Sequence, residues 1–104
     1  MNLTERYQKT LCRQFLEGQI RVHCPDKESA THLLFYLWIW GISWNGGRII
    51  DPWDTEKNWK NGENTYFILD EQEKLLTGAL SEIPDDGRIT VPFKFIEKGF
   101  EQIL

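Results

Sequence analysis

Residues 25–44 most constrain the fold, because a polar, acidic start leads directly into a long apolar run. Proline is tolerated at the first position of a helix, and acidic side chains favour its first turn, where backbone N–H groups carry partial positive charge. The apolar positions then recur at the three-and-four spacing of a helix facing a core: Ala30, Leu33, Leu34, Leu37 and Gly41. We therefore predict a helix that starts at Pro25 and leads at once into a strand at Ile42.

A second apolar stripe lies beside the first and consists of Phe35, Trp38 and Ile42, so the last two turns are apolar almost all round. Such a helix is expected to be buried between a sheet and another element. The alternative is an exposed aromatic face that docks a partner. No membrane span is expected, because residues 33–42 fall short of the roughly 18 apolar residues that a span requires.

The segments before this helix predict an N-terminal helix over residues 1–17 and a strand after it. Apolar residues recur at helical spacing, at Leu3, Tyr7, Leu11 and Phe15, and Gly18 ends the helix. Alternating apolar residues then predict a strand that enters the main helix: Ile20, Val22 and Cys24. Strand, helix and returning strand form one unit, in an antiparallel or a split arrangement.

The second half of the chain is predicted to form mainly strands. Residues 64–70 and 74–80 are apolar runs separated by a short polar turn, which predicts an antiparallel hairpin. Residues 89–95 predict a further strand, and Pro92 places it at a sheet edge because proline has no N–H to donate. Residues 96–104 close the chain as a short helix or an extended tail. The whole chain, 1–104, is thus predicted to be one small α+β domain, with residues 18–104 as its core.

The charge distribution argues against direct binding to nucleic acid. The net charge is −4, and residues 61–104 hold nine acidic but only four basic groups, so a basic footprint is absent. The acidic residues form two clusters on loops at opposite ends of the strand 74–80: Asp70, Glu71 and Glu73 in one, Glu82, Asp85 and Asp86 in the other. Such clusters could imitate the phosphates of a duplex or could simply be solvated loops.

The cysteines and histidines predict neither a metal site nor a cofactor. His23 and Cys24 are neighbours on a strand, so their side chains point to opposite faces, and no paired ligand spacing occurs. Cys24 precedes a helix N-terminus, which is expected to lower the pKa of its thiol. A hydrolase that uses Cys24 is therefore an alternative, but no nucleophile elbow is present, and we predict a protein without catalytic residues.

Two cysteines do not make a disulfide framework, and the N-terminus shows no apolar signal region. The simplest expectation is a reducing cytoplasm with free thiols.

Residues 45–63 are the least regular stretch and carry the predicted ligand site. A long loop in a small domain is usually either functional or disordered, and its tryptophans argue against disorder. Aromatic rings stack on nucleobases, and this stacking contributes roughly 1–3 kcal/mol per base. Arg48 can bind phosphate through two parallel N–H donors. Asp51 or Asp54 can accept a hydrogen bond from a base amine or a ribose hydroxyl. The predicted ligand-binding residues are Trp44, Asn45, Gly47, Arg48, Asp51, Trp53, Asp54, Trp59 and Tyr66. The alternative is a loop that its tryptophans pin to the core.

The order of these features over roughly residues 20–80 resembles small accessory proteins of phages and prophages. It comprises a Val22-His23-Cys24-Pro25 strand end, an acidic helix start, a Leu33-Leu34 helix, Gly41-Ile42-Ser43-Trp44 at the return, a Trp/Asn/Gly loop and a hairpin.

Some proteins of this type counter bacterial defence by sequestering nucleotide signals or by inhibiting host enzymes. The resemblance implies a non-enzymatic protein of the host cytoplasm that captures a nucleotide-like ligand. The alternative is an acidic inhibitor, or DNA mimic, of a host protein. The surplus of aromatic residues also makes a homodimer plausible.

Overall fold

Four strands form one mixed sheet in the computed structural model, which describes residues 3–103. They are β1 (Arg21–His23), β2 (Thr65–Leu69), β3 (Leu75–Ala79) and β4 (Thr90–Pro92). The sheet order is β3-β2-β1-β4, with β2 antiparallel to both of its neighbours and β4 parallel to β1. The predicted hairpin is therefore confirmed as β2 and β3, and the strand that contains Pro92 lies at an edge as predicted.

Within residues 3–103, four α-helices accompany the sheet and complete a single α+β domain. They are α1 (Leu3–Leu16), α2 (Lys27–Ile39), α3 (Thr55–Asn58) and α4 (Glu97–Ile103). Three short 3₁₀ turns occupy Gly62–Asn64, Leu80–Glu82 and Phe93–Phe95. The helix predicted over residues 1–17 and the segment predicted over 96–104 form α1 and α4, except that Glu17 and Ile96 lie in turns; Met1, Asn2 and Leu104 lie outside the described residues. None of the described helices is long and apolar enough to cross a membrane.

The main helix α2 begins two residues later than predicted, because Asp26 caps it. The Asp26 backbone is extended, and its carboxylate accepts a 2.7 Å hydrogen bond from the Ser29 N–H, which satisfies a donor that the first helical turn leaves free. The helix ends at Ile39, Trp40 is its C-cap, and Gly41 follows with a φ of 79°, in the left-handed region. There the Gly41 and Ile42 N–H groups donate to the carbonyls of Trp38 and Leu37, which is the Schellman arrangement.

The segment after α2 does not form the predicted strand of the main sheet. Ser43 makes one antiparallel bridge to Ile49, and Trp44 makes one parallel bridge to Leu75 on β3. The chain turns back within four residues, since the Trp44 N–H donates to the Arg48 carbonyl at 2.8 Å. The segment that follows α2 therefore lies beside β3, while the parallel neighbour of β1 is β4.

The core lies between one face of the sheet and helices α1, α2 and α4. The alternation predicted for β1 is confirmed, because Ile20, Val22 and Cys24 are all buried. On α1 only the second half of the predicted stripe is buried, at Leu11 and Phe15, whereas Leu3 and Tyr7 at its start are exposed. Helices α1 and α4 approach closely: Phe15 meets Phe100 edge-on at 6.2 Å, and a Cβ atom at Gly99 would lie 2.5 Å from the Gln8 carbonyl oxygen.

Arg21 is buried on the opposite face of the sheet, which the sequence pattern did not indicate. Its guanidinium donates to the carbonyls of Arg88 and Pro84 and to Asp86 Oδ1, the last at 2.6 Å. Its carbon Cζ also lies 5.9 Å from the centre of the Tyr66 ring. Arg21 thereby fixes the loop over residues 84–88 against β1.

Candidate functional site

A cleft of about 350 Å³ opens between the turn after α2 and helix α3. We call it the cationic cleft; it is lined by Trp44, Arg48, Ile49, Asp51, Asp54, Lys57, Asn58, Lys60 and Thr77. Four of the nine residues predicted to bind a ligand are thus brought together here: Trp44, Arg48, Asp51 and Asp54. Asn45 and Gly47 do not line the cleft but belong to the tight turn that forms one of its walls.

That turn depends on glycine at two successive positions, Gly46 and Gly47, which have φ values of 100° and 87°. Residues with side chains rarely adopt this conformation. The Gly47 N–H donates to the Trp44 carbonyl at 2.9 Å, so Arg48 is returned beside Trp44. The Trp44 ring packs on the buried ring of Phe67, with 6.4 Å between centroids, and is only partly exposed. One wall of the cleft is therefore a fixed indole next to a guanidinium.

Helix α3 and the turn before it form the other wall. Asp54 caps α3 and accepts from the Lys57 N–H at 3.4 Å, and Asp51 accepts from the Trp53 N–H at 3.1 Å. The buried side chain of Asn58 donates to the Asp51 carbonyl at 2.6 Å. These bonds hold both carboxylates in place, while the second oxygen of each aspartate accepts no hydrogen bond from a described residue.

The electrostatics of the cleft favour an anion that also carries hydrogen-bond donors. Arg48, Lys57 and Lys60 contribute three positive charges, against two negative charges from the aspartates. Within residues 3–103, these three basic side chains form no ion pair or hydrogen bond. Cations grouped without partners are available to bind phosphate or carboxylate.

The sequence analysis missed Lys57 and Lys60, because it treated residues 45–63 as irregular. A signal for Lys57 does exist in the chain. Asp54 is a residue type that caps helices, followed by a short polar run. A cap at Asp54 would have predicted a short helix that contains Lys57, whereas Lys60 lies beyond the end of α3 and has no such signal.

Trp59 and Tyr66 lie away from the cleft, although both were predicted to bind the ligand. The indole N–H of Trp59 donates to the Cys24 carbonyl at 3.0 Å, and its ring packs against the core. Tyr66 lies on the outer face of the sheet, where its ring occupies the space beside Gly78. Trp59 therefore pins the loop to the core, which was the alternative weighed from the sequence.

Trp53 belongs to a second concavity, of about 370 Å³, which we call the aromatic pocket. It is lined by Thr31, His32, Phe35, Tyr36 and Trp53. The Trp53 side chain is 71% exposed and packs on Phe35 with 6.2 Å between ring centroids. The nine predicted residues are thus divided between two neighbouring concavities, with four in the cleft, one in the pocket and four outside both.

The favoured prediction, a helix buried between a sheet and another element, holds for the first stripe of α2, but the second stripe is only partly covered. The first stripe is buried, at Ala30, Leu33, Leu34 and Leu37. Around the second stripe, Trp38, Ile39 and Trp40 are 47%, 49% and 42% exposed. Among the described elements, α2 packs against α3 and the 3₁₀ turn Phe93–Phe95, and Trp53 of the loop reaches Phe35.

The expectation of a lowered thiol pKa at Cys24 is also wrong. Cys24 is fully buried, and desolvation raises the pKa of its thiol far above the ordinary value, with the nearby charge of Asp26 adding to the effect. Burial likewise raises the pKa of Cys12 to about 12. Neither thiol is poised as a nucleophile. No group of His, Cys, Asp and Glu residues suited to a metal ion occurs within residues 3–103.

No protein-family model, curated protein or solved structure matches this chain. The chemistry of the two concavities is therefore the basis for a functional assignment.

Proposed function

We propose that this protein is a non-enzymatic binding protein that captures a small nucleotide-like anion in the cationic cleft. The observation that carries the proposal is the grouping of Arg48, Lys57 and Lys60, without partners among the described residues, around a concavity walled by the Trp44 indole. The volume of about 350 Å³ lies within the range of small-molecule sites, roughly 300–1,000 Å³.

Each part of the cleft has a defined task in this proposal. The Arg48 guanidinium binds phosphate oxygens as a two-pronged donor, and Lys57 and Lys60 add charge that can follow the phosphate. Trp44 offers an indole against which a base stacks. The second carboxylate oxygens of Asp51 and Asp54 accept from a base amine or a ribose hydroxyl, which distinguishes a nucleotide from a simple anion.

Binding without turnover is favoured by the chemistry of the lining. The described residues that line the cleft include no histidine, cysteine or serine, and both cysteines of the chain are buried in the core. In the proposed role, the protein lowers the free concentration of a nucleotide signal. This is the behaviour that the resemblance to phage accessory proteins implies.

A titration with a panel of mononucleotides and cyclic nucleotides, followed by calorimetry and by tryptophan fluorescence, tests the proposal. Binding of at least one nucleotide is expected, and Arg48→Ala should weaken it about tenfold or more, because a hydrogen bond to a charged group contributes about 1.5–3 kcal/mol. The matched control is Arg13→Ala, which removes an exposed arginine from α1 and should leave the affinity unchanged.

Two results would contradict the proposal. One is the absence of binding by every nucleotide of the panel. The other is an equal loss of affinity in the Arg48→Ala and Arg13→Ala proteins, because this would show attraction to the overall charge rather than binding in the cleft.

The acidic inhibitor or DNA mimic has less support from the structure. Asp70 accepts from the N–H groups of Gln72 and Lys74 within its own turn, and Asp86 is held by Arg21 and Arg88. Two of the six clustered carboxylates thus serve the fold. A pull-down of a host protein that weakens with salt and is lost in Asp85→Lys would favour this alternative.

A further inference from the structure

The aromatic pocket is a separate site, because it shares no lining residue with the cationic cleft. Phe35 is inclined to both other rings: it meets Tyr36 at 66° with 6.4 Å between centroids and Trp53 at 52° with 6.2 Å. The three rings border one concavity of about 370 Å³, and Tyr36 is held in place by the Phe100 ring stacked on one of its faces at 5.2 Å. The faces of aromatic rings are electron-rich and attract cations.

Two carboxylates of α4 make the surroundings of this pocket negative. Glu97 Oε1 lies 3.2 Å from Nδ1 of His32. Glu101 lies four residues further along α4, close enough for its charge to act on Tyr36. The pKa of Tyr36 is raised, first by burial and then by the charges of Glu101 and Glu97, so both carboxylates act on the pocket wall. Glu97 offsets any positive charge on His32, and the charge of Glu101 remains.

We propose that the aromatic pocket binds an organic cation with an alkylated ammonium head group. The rings of Phe35, Tyr36 and Trp53 contact its alkyl groups, and Glu97 and Glu101 supply the opposite charge. The complementarity is twofold, because the lining is mostly apolar while the surrounding charge is negative.

The hydrogen bonding around the pocket favours alkylated ammonium over guanidinium or a primary amine. The hydroxyls of Thr31 and Tyr36 and the His32 ring are the only side-chain acceptors among the lining residues, and Glu97 already accepts from His32. A cation with many N–H donors would lose water without gaining enough acceptors, which is costly. A quaternary ammonium has no donors to satisfy and keeps the full attraction to the rings.

A titration with choline chloride, followed by the indole N–H signal of Trp53 in ¹H–¹⁵N NMR spectra, tests this site. Saturable binding is expected, and sodium chloride at equal ionic strength should not reproduce it. The neutral isostere of choline, in which carbon replaces nitrogen, should bind roughly tenfold more weakly, because it lacks the charge.

Three variants identify the groups responsible. Trp53→Ala should abolish binding, as judged from the backbone amides of α2, and Trp53→Phe should restore part of it. Glu101→Gln keeps the shape of the side chain but removes its charge, so it should weaken choline binding without changing the affinity for the neutral isostere. The control is Trp40→Ala, which removes an exposed indole that lines neither concavity and should have no effect.

Equal affinity for choline and its neutral isostere would overturn the proposal, because it would show an apolar pocket only. Tighter binding of arginine amide than of choline would overturn the choice of head group. An equal loss in Trp40→Ala and Trp53→Ala would show nonspecific adsorption to exposed indoles. None of these results depends on whether the cationic cleft binds a nucleotide.

Discussion

The cationic cleft and the aromatic pocket are similar in volume, about 350 and 370 Å³, but are built from different kinds of residue. The cleft has three cations, two carboxylates and one indole, whereas the pocket has three aromatic rings and no lysine or arginine. Both take residues from the same loop: Asp51 and Asp54 line the cleft, and Trp53 lines the pocket.

The difference shows how a single turn can supply two sites. The N–H groups of Trp53 and Asp54 donate to the side chain and the carbonyl of Asp51, respectively. This folds the backbone tightly ahead of α3, so that Trp53 packs on Phe35 of α2 while its acidic neighbours line the cleft. Charged and apolar binding groups that are adjacent in sequence are thereby separated in space.

The largest expected effect comes from removing the anchor on which both sites depend. Trp59→Ala deletes an indole packed on the core and its hydrogen bond to Cys24, which should lower the free energy of unfolding by about 3 kcal/mol. Trp59→Phe keeps the packing of a ring and should cost only about 1 kcal/mol. Urea denaturation measures both values. A cost for Trp59→Ala as small as that for Trp59→Phe would show that the loop is held elsewhere.

A smaller but more selective effect is expected when a variant of each site is tested with both ligands. Arg48→Ala should weaken nucleotide binding and leave choline binding unchanged, and Trp53→Ala should do the reverse, because neither residue lines the other site. Calorimetric titration of each variant with each ligand gives the four affinities. A loss of both ligands in either variant would mean that the two concavities are one site.

The smallest effect is expected from Asp86, which lies near neither site and is a control for stability. Its pKa is held below the ordinary value of 3.8, first by the hydrogen bond from the Arg88 N–H and then by the Arg21 guanidinium. A carboxylate whose pKa is lowered in the folded state stabilises that state. The contribution is complete when the pH is above the pKa of the unfolded state, and it is lost as the pH falls through the pKa of the folded state.

Asp86→Asn should therefore reduce the free energy of unfolding at neutral pH, while the difference from the unmodified protein should shrink below about pH 4. Thermal denaturation between pH 2 and pH 7 checks this, and affinities for both ligands should stay unchanged. A difference that grows as the pH falls would contradict the assignment.

The elements predicted from local patterns agree well with the structure. The hairpin of β2 and β3 and the burial of Ile20, Val22 and Cys24 follow from alternation, which directly reflects a strand with one face in the core. The edge position of Pro92 follows from its missing N–H. For α2, the helix itself was predictable, but its start was not: the capping carboxylate of Asp26 displaced the expected start at Pro25.

The candidate site was predictable only in part. Trp44, Arg48, Asp51 and Asp54 come together as their closeness in sequence suggested. The sequence could not show which tryptophans would be used by the fold, since an indole is equally suited to a core and to a binding surface. Burial of Arg21 was likewise unpredictable, because its acceptors lie more than 60 residues away in the chain.

The sequence by itself determined the α+β class, the hairpin, the apolar stripe of α2 and the glycine turn that brings Arg48 beside Trp44. These are local properties, set by side-chain periodicity and by backbone preferences over a few residues. Only the tertiary structure decided that Trp59 anchors the loop, that Trp53 joins Phe35 and Tyr36, and that Lys57 and Lys60 complete the cleft. The physical reason is that burial and charge pairing depend on which distant segments meet, and the sheet order β3-β2-β1-β4 is what brings those segments together.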